Sequence, residues 1–391
     1  MKTLRYTLLC AILCVAFSIQ QVAAQGCVAI RGGMGCTGAA VSGTNLISLN
    51  TGEWQVGLNY RYFRSFRHFR GDVEEANRVL EHTEVVNLVH NASLNVGYGL
   101  TNRFSLGLNL PVSHFDRSSL YEHYGNSESS NPDRSRFHTQ SFGIGDLRVT
   151  GTSWLWDPAE HFHANMSVGL GIKAPTGDAN VQGDFHKLDA EGQDYILTKP
   201  VDQSIQLGDG GWGFSVESQG FTTISSRLAL YYSGFYLFNP KNTNATLTRG
   251  TLVNADPLTA YHSVADQYAV RGGVSFALLP KQGILFNLGG NWEGVPSKDV
   301  FGKSEGFRRP GYVVSVDPGL FYAGSHTTLS LRVPFALYRN RILSQSDIAT
   351  GRHGDAAFAD FLVEIGASYR FGGKHMAMPM PGAIHDVNQN H

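Results

Sequence analysis

Segments in which apolar and polar residues alternate recur along this chain, and they restrict its fold more than any other feature. The clearest segment runs from Val86 to Leu100, with Val, Leu, Ala and Tyr on one face and mainly Asn, Ser and Gly on the other. Alternation with period two is the pattern of a β-strand, and segments of about ten residues are long enough to cross a bilayer as tilted strands. The pattern therefore predicts an all-β chain.

Twelve such segments are predicted, and the links between them alternate in length. The predicted strands span 53–66, 84–100, 103–115, 140–155, 162–174, 210–222, 227–239, 266–279, 283–295, 311–322, 327–339 and 358–371. Links after even-numbered strands are short turns, whereas links after odd-numbered strands are long and polar, at 67–83, 116–139, 175–209 and 240–265. This layout is typical of outer-membrane barrels, whose short turns lie in the periplasm. The predicted fold class is a transmembrane antiparallel β-barrel of about 12 strands.

Solvation predicts which face of the barrel points outward. In hydrocarbon every backbone group must pair internally, so the sheet closes on itself and its outer face is apolar. A soluble β-sandwich is the alternative, since it would bury the same apolar faces between two sheets. Aromatic residues near strand ends favour the barrel, because such residues form girdles at membrane interfaces. The predicted girdle residues are Trp54, Tyr60, Tyr62, Tyr98, Phe115, Trp154, Trp156, Tyr236, Phe238, Tyr322 and Tyr369.

Composition excludes several other classes. Charged residues make up 16% of the 391 residues, against ~25% in typical soluble domains, yet the mean hydropathy is only -0.16. A polytopic helical membrane protein would be far more apolar. Lys and Arg number 31 against 32 Asp and Glu, which argues against a nucleic-acid partner. The partners expected are outer-membrane lipid, the barrel-assembly machinery and a small solute, and no cofactor is expected.

The N-terminus has the pattern of a signal peptide. Lys2 and Arg5 precede an apolar run, and small residues up to Ala24 offer a cleavage site, so residues 1–24 are predicted to be removed. Residues 25–50 are then a periplasmic segment or a plug. Cys27 and Cys36 are predicted to form a disulfide in this oxidising compartment, and lipidation of Cys27 is the alternative.

Three short motifs resemble a known family. A strand containing Gly143-Ile144-Gly145-Asp146 is followed by Lys173-Ala174-Pro175-Thr176-Gly177-Asp178 and later by Leu207-Gly208-Asp209-Gly210. Over roughly residues 140–240 the chain resembles the outer-membrane transporter family named after the meta-pathway of phenol degradation. The resemblance implies an outer-membrane channel or transporter but does not specify phenol. Turn chemistry is the competing explanation for Pro175-Thr176-Gly177-Asp178, and slipped alternation after Ile144 predicts a bulge.

Polar side chains on the inner face are the predicted pore lining. These are Arg61, Asn91, Asn95, Asn109, Lys173, Glu217, Arg271, Glu293, Asp317, Arg332, Glu364 and Arg370. Both signs of charge occur in similar numbers, which indicates either a hydrated lumen or salt bridges across the barrel. Twelve strands also predict a narrow pore that residues 25–50 or an infolded loop could plug.

The chain shows no convincing catalytic motif. His-x-Ser, the pair used by lipid-degrading barrels, is absent, so no enzyme is predicted. The tail 372–391 carries His375, Met376, Met378 and Met380, whose imidazole and thioether groups suit Cu(I); chance occurrence in an unstructured tail is the alternative. The leading prediction is passage of small solutes through the lumen. The alternatives are a non-conducting barrel whose long loops bind a partner and a copper-linked component.

Overall fold

A closed barrel of twelve antiparallel strands is the fold of this chain in a computed structural model, which describes residues 48–248, 252 and 258–373. The predicted signal peptide, Cys27, Cys36 and the tail residues His375, Met376, Met378 and Met380 lie outside the described residues. The predicted fold class is therefore confirmed for the part of the chain that carries the strands.

The elements follow one another as antiparallel strands with few short helices. The strands are β1 (Glu53–Arg70), β2 (Val73–Glu74), β3 (Val86–Gly99), β4 (Phe104–Ser119), β5 (Phe137–Ile144), β6 (Leu147–Trp154), β7 (Ala164–Ala174), β8 (Gln182–Leu188), β9 (Asp194–Pro200), β10 (Gly213–Ser225), β11 (Leu228–Phe238), β12 (Thr243–Leu247), β13 (Tyr261–Ser263), β14 (Gln267–Leu279), β15 (Ile284–Val295), β16 (Gly311–Ala323), β17 (Thr327–Arg332), β18 (Phe335–Asn340), β19 (Ala356–Ala359) and β20 (Val363–Gly372). The helices are α1 (Asn77–Leu80) and α2 (Gln345–Thr350). No helix among these described residues is long and apolar enough to cross a membrane.

The barrel closes between its first and last strands. Its wall runs β1, β3, β4, β6, β7, β10, β11, β14, β15, β16, β17 and β20, each paired with the next. β20 then pairs with β1, with Trp54 opposite Phe371. β8–β9 and β12–β13 are separate hairpins in the long loops. A closed wall leaves no strand edge in the membrane, as hydrocarbon requires.

Three predicted strands are interrupted in the structure. The predicted strand 140–155 is divided into β5 and β6 at Gly145–Asp146, where slipped alternation predicted a bulge. The predicted strand 327–339 breaks at Val333–Pro334, since proline has no N–H for the sheet. The last strand is preceded by β19, which pairs separately with β1.

Alternation sorts the side chains as predicted from solvation. On β3, Leu94 is 40% exposed on the outer surface, whereas its neighbour Asn95 is 3% exposed and faces the lumen. The outer surface carries Leu58, Leu106 and Leu170 in the same way. An apolar belt on a closed barrel is the surface of an outer-membrane protein, not of a soluble sandwich.

Two of the predicted girdle residues are wrong. Phe115 and Trp154 are 4% and 3% exposed, and both point into the lumen. Phe115 packs with Phe63 and Val89, and Trp154 packs with Phe221. Both follow the inward parity of their strands, so nearness to a strand end was a poorer guide than alternation.

Candidate functional site: the barrel lumen

Six charged side chains form an ion network across the middle of the lumen. The network consists of Arg61, Arg271, Arg332, Glu293, Asp317 and Glu364. Arg61 on β1 donates from Nη2 to Oε1 of Glu293 at 2.6 Å, although β20, β17 and β16 separate β1 from β15 along the wall. This bond therefore reaches across the lumen and does not follow the wall.

Arg61 joins the other residues through Glu364, whose Oε1 lies 3.8 Å from Arg61 Nε, and the remaining contacts form a ring. Arg271 Nε lies 2.8 Å from Asp317 Oδ2, and Arg332 Nη2 lies 3.1 Å from the same oxygen. Glu364 Oε2 lies 2.9 Å from Arg332 Nη2 and 3.2 Å from Arg271 Nη2. Three cations meet three carboxylates, so the network carries no net charge. Of the two possibilities left open by the sequence, these residues form salt bridges across the barrel.

The other predicted lining residues line the wall in smaller groups. Asn91 donates to Ser113, and Asn109 donates to Asn95, in a ladder of buried amides. Glu217 lies 3.9 Å from Arg148. Arg370 faces the end of the lumen that carries the short turns, where it donates to the carbonyl of Ser48. Their role as a pore lining stays a prediction.

The short-turn end of the lumen is narrowed by two apolar groups of residues. Trp154, Phe221 and Phe321, each close to a short turn, form a buried cluster inside the wall together with Tyr231, Ala277 and Leu285. Residues 48–50 enter the same mouth, where Leu49 is 3% exposed against the inner face of β3. The apolar cluster narrows the lumen, and sequence reasoning missed it because the inner face was expected to be polar throughout.

The family-type motifs meet at one point of the wall. Asp146, in the break between β5 and β6, accepts hydrogen bonds from the backbone N–H of Gly177 at 3.0 Å and of Asp209 at 3.1 Å. Thr176 donates its hydroxyl to the carbonyl of Gly145, and Lys173 forms an ion pair with Asp209. We call this group, Gly145, Asp146, Lys173, Thr176, Gly177, Gly208 and Asp209, the Asp146 clamp.

Glycines make the clamp possible by allowing backbones to touch. A Cβ on Gly177 would lie 2.8 Å from Gly208 Cα, and a Cβ on Gly208 would lie 2.7 Å from Asp146 Oδ1. A Cβ on Gly143 would lie 2.8 Å from Leu207. Pro175 and Asp178 flank the close approach, and Asp178 Oδ1 caps the N–H of Asn180. The motif residues thus join the wall to the chain that enters β10.

The chain held by this clamp folds into the lumen from the long-loop end. We call residues 201–209 the infolded segment. Val201 and Ile205 are fully buried against the inward-facing Phe63, Val89 and Phe115. Ser141 donates its hydroxyl to the carbonyl of Ile205. The infolded segment therefore lies across the lumen as a cover, with its apolar side facing the wall.

An ion pair ties the infolded segment to the neighbouring loops. Asp202 accepts from Arg309 through both oxygens, at 2.9 Å and 2.7 Å, and Arg117 Nη2 lies 3.5 Å away. Asp202 also caps a 3-10 turn by accepting the N–H of Ser204. The two arginines hold the pKa of this buried carboxyl well below its usual range, although burial alone would raise it.

Two cavities lie on either side of this cover. A lumen cavity of about 90 Å³ lies beneath it, between Arg61, Phe63 and Asn91, and holds no more than a few water molecules. A cavity of about 720 Å³, which we call the vestibule, lies above it at the long-loop end. Arg308 and Arg309 line both cavities. The cover therefore separates the vestibule from the ion network below.

Sequence reasoning did not identify the residues of this cover. Val201 and Ile205 are two of several apolar residues in the loop 175–209, and nothing in the sequence distinguishes them from Phe185, Ile196 or Leu197. Asp202 and Arg309 are 107 residues apart, and nothing local links them. Within the described residues, no cluster of three or more His, Cys, Asp or Glu side chains could hold a metal ion.

Comparison with known proteins gives a likeness of fold. No protein-family model matches the chain, and no curated protein shows a significant match. An outer membrane channel from Pseudomonas putida F1 superposes with a TM-score of 0.51 at 12% identity, over 83% of this chain and 97% of that chain. The Ralstonia pickettii toluene transporter TbuX gives 0.41 at 12% identity, over 88% and 95%. The P. putida toluene transporter TodX gives 0.40 at 9% identity, over 91% and 100%. The first of these supports the outer-membrane barrel fold.

Proposed function

We propose that this barrel is a gated outer-membrane channel that passes small solutes through its lumen. The observation that carries the proposal is the infolded segment, which covers the lumen and is held there by the clamp, one ion cluster, two buried apolar side chains and single hydrogen bonds such as that from Ser141 to the carbonyl of Ile205. The fold likeness to an outer membrane channel adds support.

The contacts of the cover favour a gate over a permanent plug. Val201 and Ile205 are the two buried apolar side chains of the infolded segment in the cluster around Phe63. Burying one such side chain stabilises the covered state by roughly 1.5–3 kcal/mol, which is small enough for a conformational change to break and re-form the contact. By contrast, the ion network below is built on wall strands and stays in place when the segment moves. Solutes that pass must then be small and must tolerate a polar constriction.

The test is single-channel conductance of the purified protein in planar bilayers. Phe63, Val89 and Phe115 form the apolar site that Ile205 occupies, which we call the seat. Ile205→Asp places an unpaired carboxylate in this seat, so we expect the infolded segment to leave the lumen and the open-channel events to become at least ten times more frequent. Ile196→Asp is the matched control, because Ile196 is 48% exposed on β9 and its replacement leaves the seat intact.

Two outcomes would contradict the proposal. If Ile205→Asp inserts and stays silent, the lumen does not conduct, and the non-conducting partner-binding barrel becomes the better explanation. If Ile196→Asp raises conductance as much as Ile205→Asp does, loosened outer loops and not the seat control passage.

A further inference from the structure

Positive charge exceeds negative charge in the vestibule once its ion pairs are matched. Five arginines in its wall each have a carboxylate partner among the described residues. The pairs are Arg78 with Asp355, Arg117 with Glu122, Arg308 with Asp299, Arg309 with Asp202 and Arg341 with Asp347. Two lysines, Lys187 and Lys199, also line the vestibule, and they are the surplus.

Neither lysine forms an ion pair with a carboxylate of the described chain. Nζ of Lys187 donates to the carbonyl of His123 at 2.9 Å, and Nζ of Lys199 lies 3.7 Å from the ring centre of Phe185. Burial lowers the pKa of both ammonium groups. Neither ammonium group has a carboxylate of the described residues at ion-pair distance, although Glu122 acts on both from further away, so each gains from an anion that enters its cavity.

Apolar side chains share the same space. Tyr121, Leu197 and Phe307 line the vestibule, and Leu197 is paired with Phe185 across the β8–β9 hairpin. The volume of about 720 Å³ falls in the range of pockets that enclose small organic ligands. The lining therefore suits a molecule with an apolar body and a negative group.

We propose that the vestibule binds small organic carboxylates, and that the bound carboxylate opens the cover by replacing Asp202 at Arg309. The inference rests on the proposed channel function and names its substrate class. Lys187 and Lys199 attract and hold the anion, and Tyr121, Leu197 and Phe307 contact its apolar body. The carboxylate of the solute then takes the two guanidinium donors that Asp202 now occupies.

The geometry allows this exchange because the two partners belong to different parts of the fold. Arg309 lies in the loop before β16, and Arg117 lies at the end of β4, where Glu122 and Asn87 also hold it. Asp202 lies on the infolded segment. A carboxylate from outside offers Arg309 the same two oxygens, so the exchange keeps the arginine paired and frees the segment. Arg309 lines both cavities, so the exchange occurs at the entrance to the lumen.

Calorimetric titration of the full-length protein in detergent tests the charge requirement. The probes are benzoate, benzamide and benzylamine, which have similar shapes but carry a negative, no and a positive charge. We expect benzoate to bind, benzamide to bind at least tenfold more weakly, and benzylamine not to bind. Equal binding of benzoate and benzamide would overturn the inference.

Substitutions then test the named residues. Lys187→Gln and Lys199→Gln should each weaken benzoate binding about tenfold. Lys241→Gln is the control, because Lys241 bonds the carbonyl of Gly210 outside the vestibule, and it should bind benzoate as the wild type does. Unchanged affinity in both vestibule variants would overturn the assignment.

Asp202→Asn should strengthen benzoate binding, whereas the lysine substitutions weaken it. Misfolding of the variant cannot produce tighter binding. The amide oxygen can still cap Ser204, but the carboxylate that competes for Arg309 is gone. We expect benzoate to bind about tenfold more tightly to this variant, and benzoate to raise the open frequency of the wild type in bilayers. Weaker or unchanged binding by Asp202→Asn would overturn the displacement step.

Different results would contradict the channel function and the carboxylate inference. Ile205→Asp is measured in KCl without any carboxylate. If it conducts while benzoate does not bind, the inference is wrong and the channel proposal stands. If benzoate binds while Ile205→Asp stays silent, the barrel binds anions without conducting.

Discussion

The N–H of Gly177 donates to Oδ1 of Asp146 across 31 residues, and it does so at the break between β5 and β6. The other carboxylate oxygen of Asp146 accepts the N–H of Asp209. One side chain therefore connects the break between β5 and β6, the end of β7 and the infolded segment. A motif that turn chemistry alone could explain is also the anchor of the proposed gate.

Asp146→Ala should loosen the gate and lower stability. The substitution leaves the N–H groups of Gly177 and Asp209 without their acceptor and removes a carboxylate 3.8 Å from Lys173. Losing two charge-assisted hydrogen bonds should lower the free energy of unfolding by about 3 kcal/mol. Urea titration of the folded barrel measures this loss. Asp178→Ala, at an exposed site that caps only Asn180, is the control, and an equal loss there would contradict the assignment.

Gly208→Ala should disturb the Asp146 clamp by steric contact, without removing a hydrogen-bonding group. Its Cβ would lie 2.7 Å from Asp146 Oδ1, so the infolded segment must shift, at a cost of about 1–3 kcal/mol. The gate should then open more often in bilayer recordings. Gly290→Ala is the matched control, since the nearest atom to its Cβ is 3.8 Å away. Unchanged stability and gating in Gly208→Ala would show that the clamp tolerates an added methyl group.

Glu293→Gln should change the ion selectivity of the open channel. Removing this carboxylate leaves Arg61 with Glu364 at 3.8 Å and gives the mid-lumen network a net charge of about +1. We expect the reversal potential in a KCl gradient to shift towards chloride in the Ile205→Asp background. Glu305→Gln, on an exposed loop, serves as the control. A shift towards potassium would contradict the lumen assignment.

Acid should loosen the outer loops through His123. Burial lowers the pKa of His123 to about 4, whereas an unfolded histidine titrates near 6.5. The folded state thus binds fewer protons between these values, so stability is complete above pH 6.5 and falls by up to ~1.4 kcal/mol per pH unit towards pH 4. The nearby carboxylate of Glu122 opposes this loss.

Hydrogen exchange of residues 120–124 and 182–200 measures this loosening. His123 stacks on Phe185 and accepts the N–H of His186, so both segments should exchange faster as the pH falls from 6.5 to 4, after correction for the intrinsic rate. His123→Phe keeps an aromatic ring that does not titrate. If this variant shows the same pH dependence, another group is responsible.

Local alternation was enough to predict the wall but not the cover. β3 agrees with its predicted span to within two residues because its period of two is uninterrupted. Pro334 could have indicated the break before β18, since an inner strand rarely accepts proline. The seat of Ile205, in contrast, is built by Phe63, Val89 and Phe115 from three strands distant in the chain. No pattern within the loop 175–209 contains that information.

The alternation of inward and outward residues also indicates the inward position of Phe115, which the prediction of a girdle residue overlooked. Ser113 and Phe115 have the same parity, and so they share the lumen face. Counting parity predicts an aromatic lining at that level, where nearness to the strand end predicted a membrane girdle. The inner face therefore combines polar and apolar layers, and only the polar layers were expected.

β1 is the first strand of the wall to be synthesised and β20 is the last, and the two pair with each other. Until Val363–Gly372 has been exported, residues 53–62 of β1 have no hydrogen-bonding partner on that side, and a truncated chain carries two open edges. Assembly in the envelope must therefore wait for a complete polypeptide, and a premature stop codon anywhere before the final strand should leave material for periplasmic proteases instead of a shorter barrel.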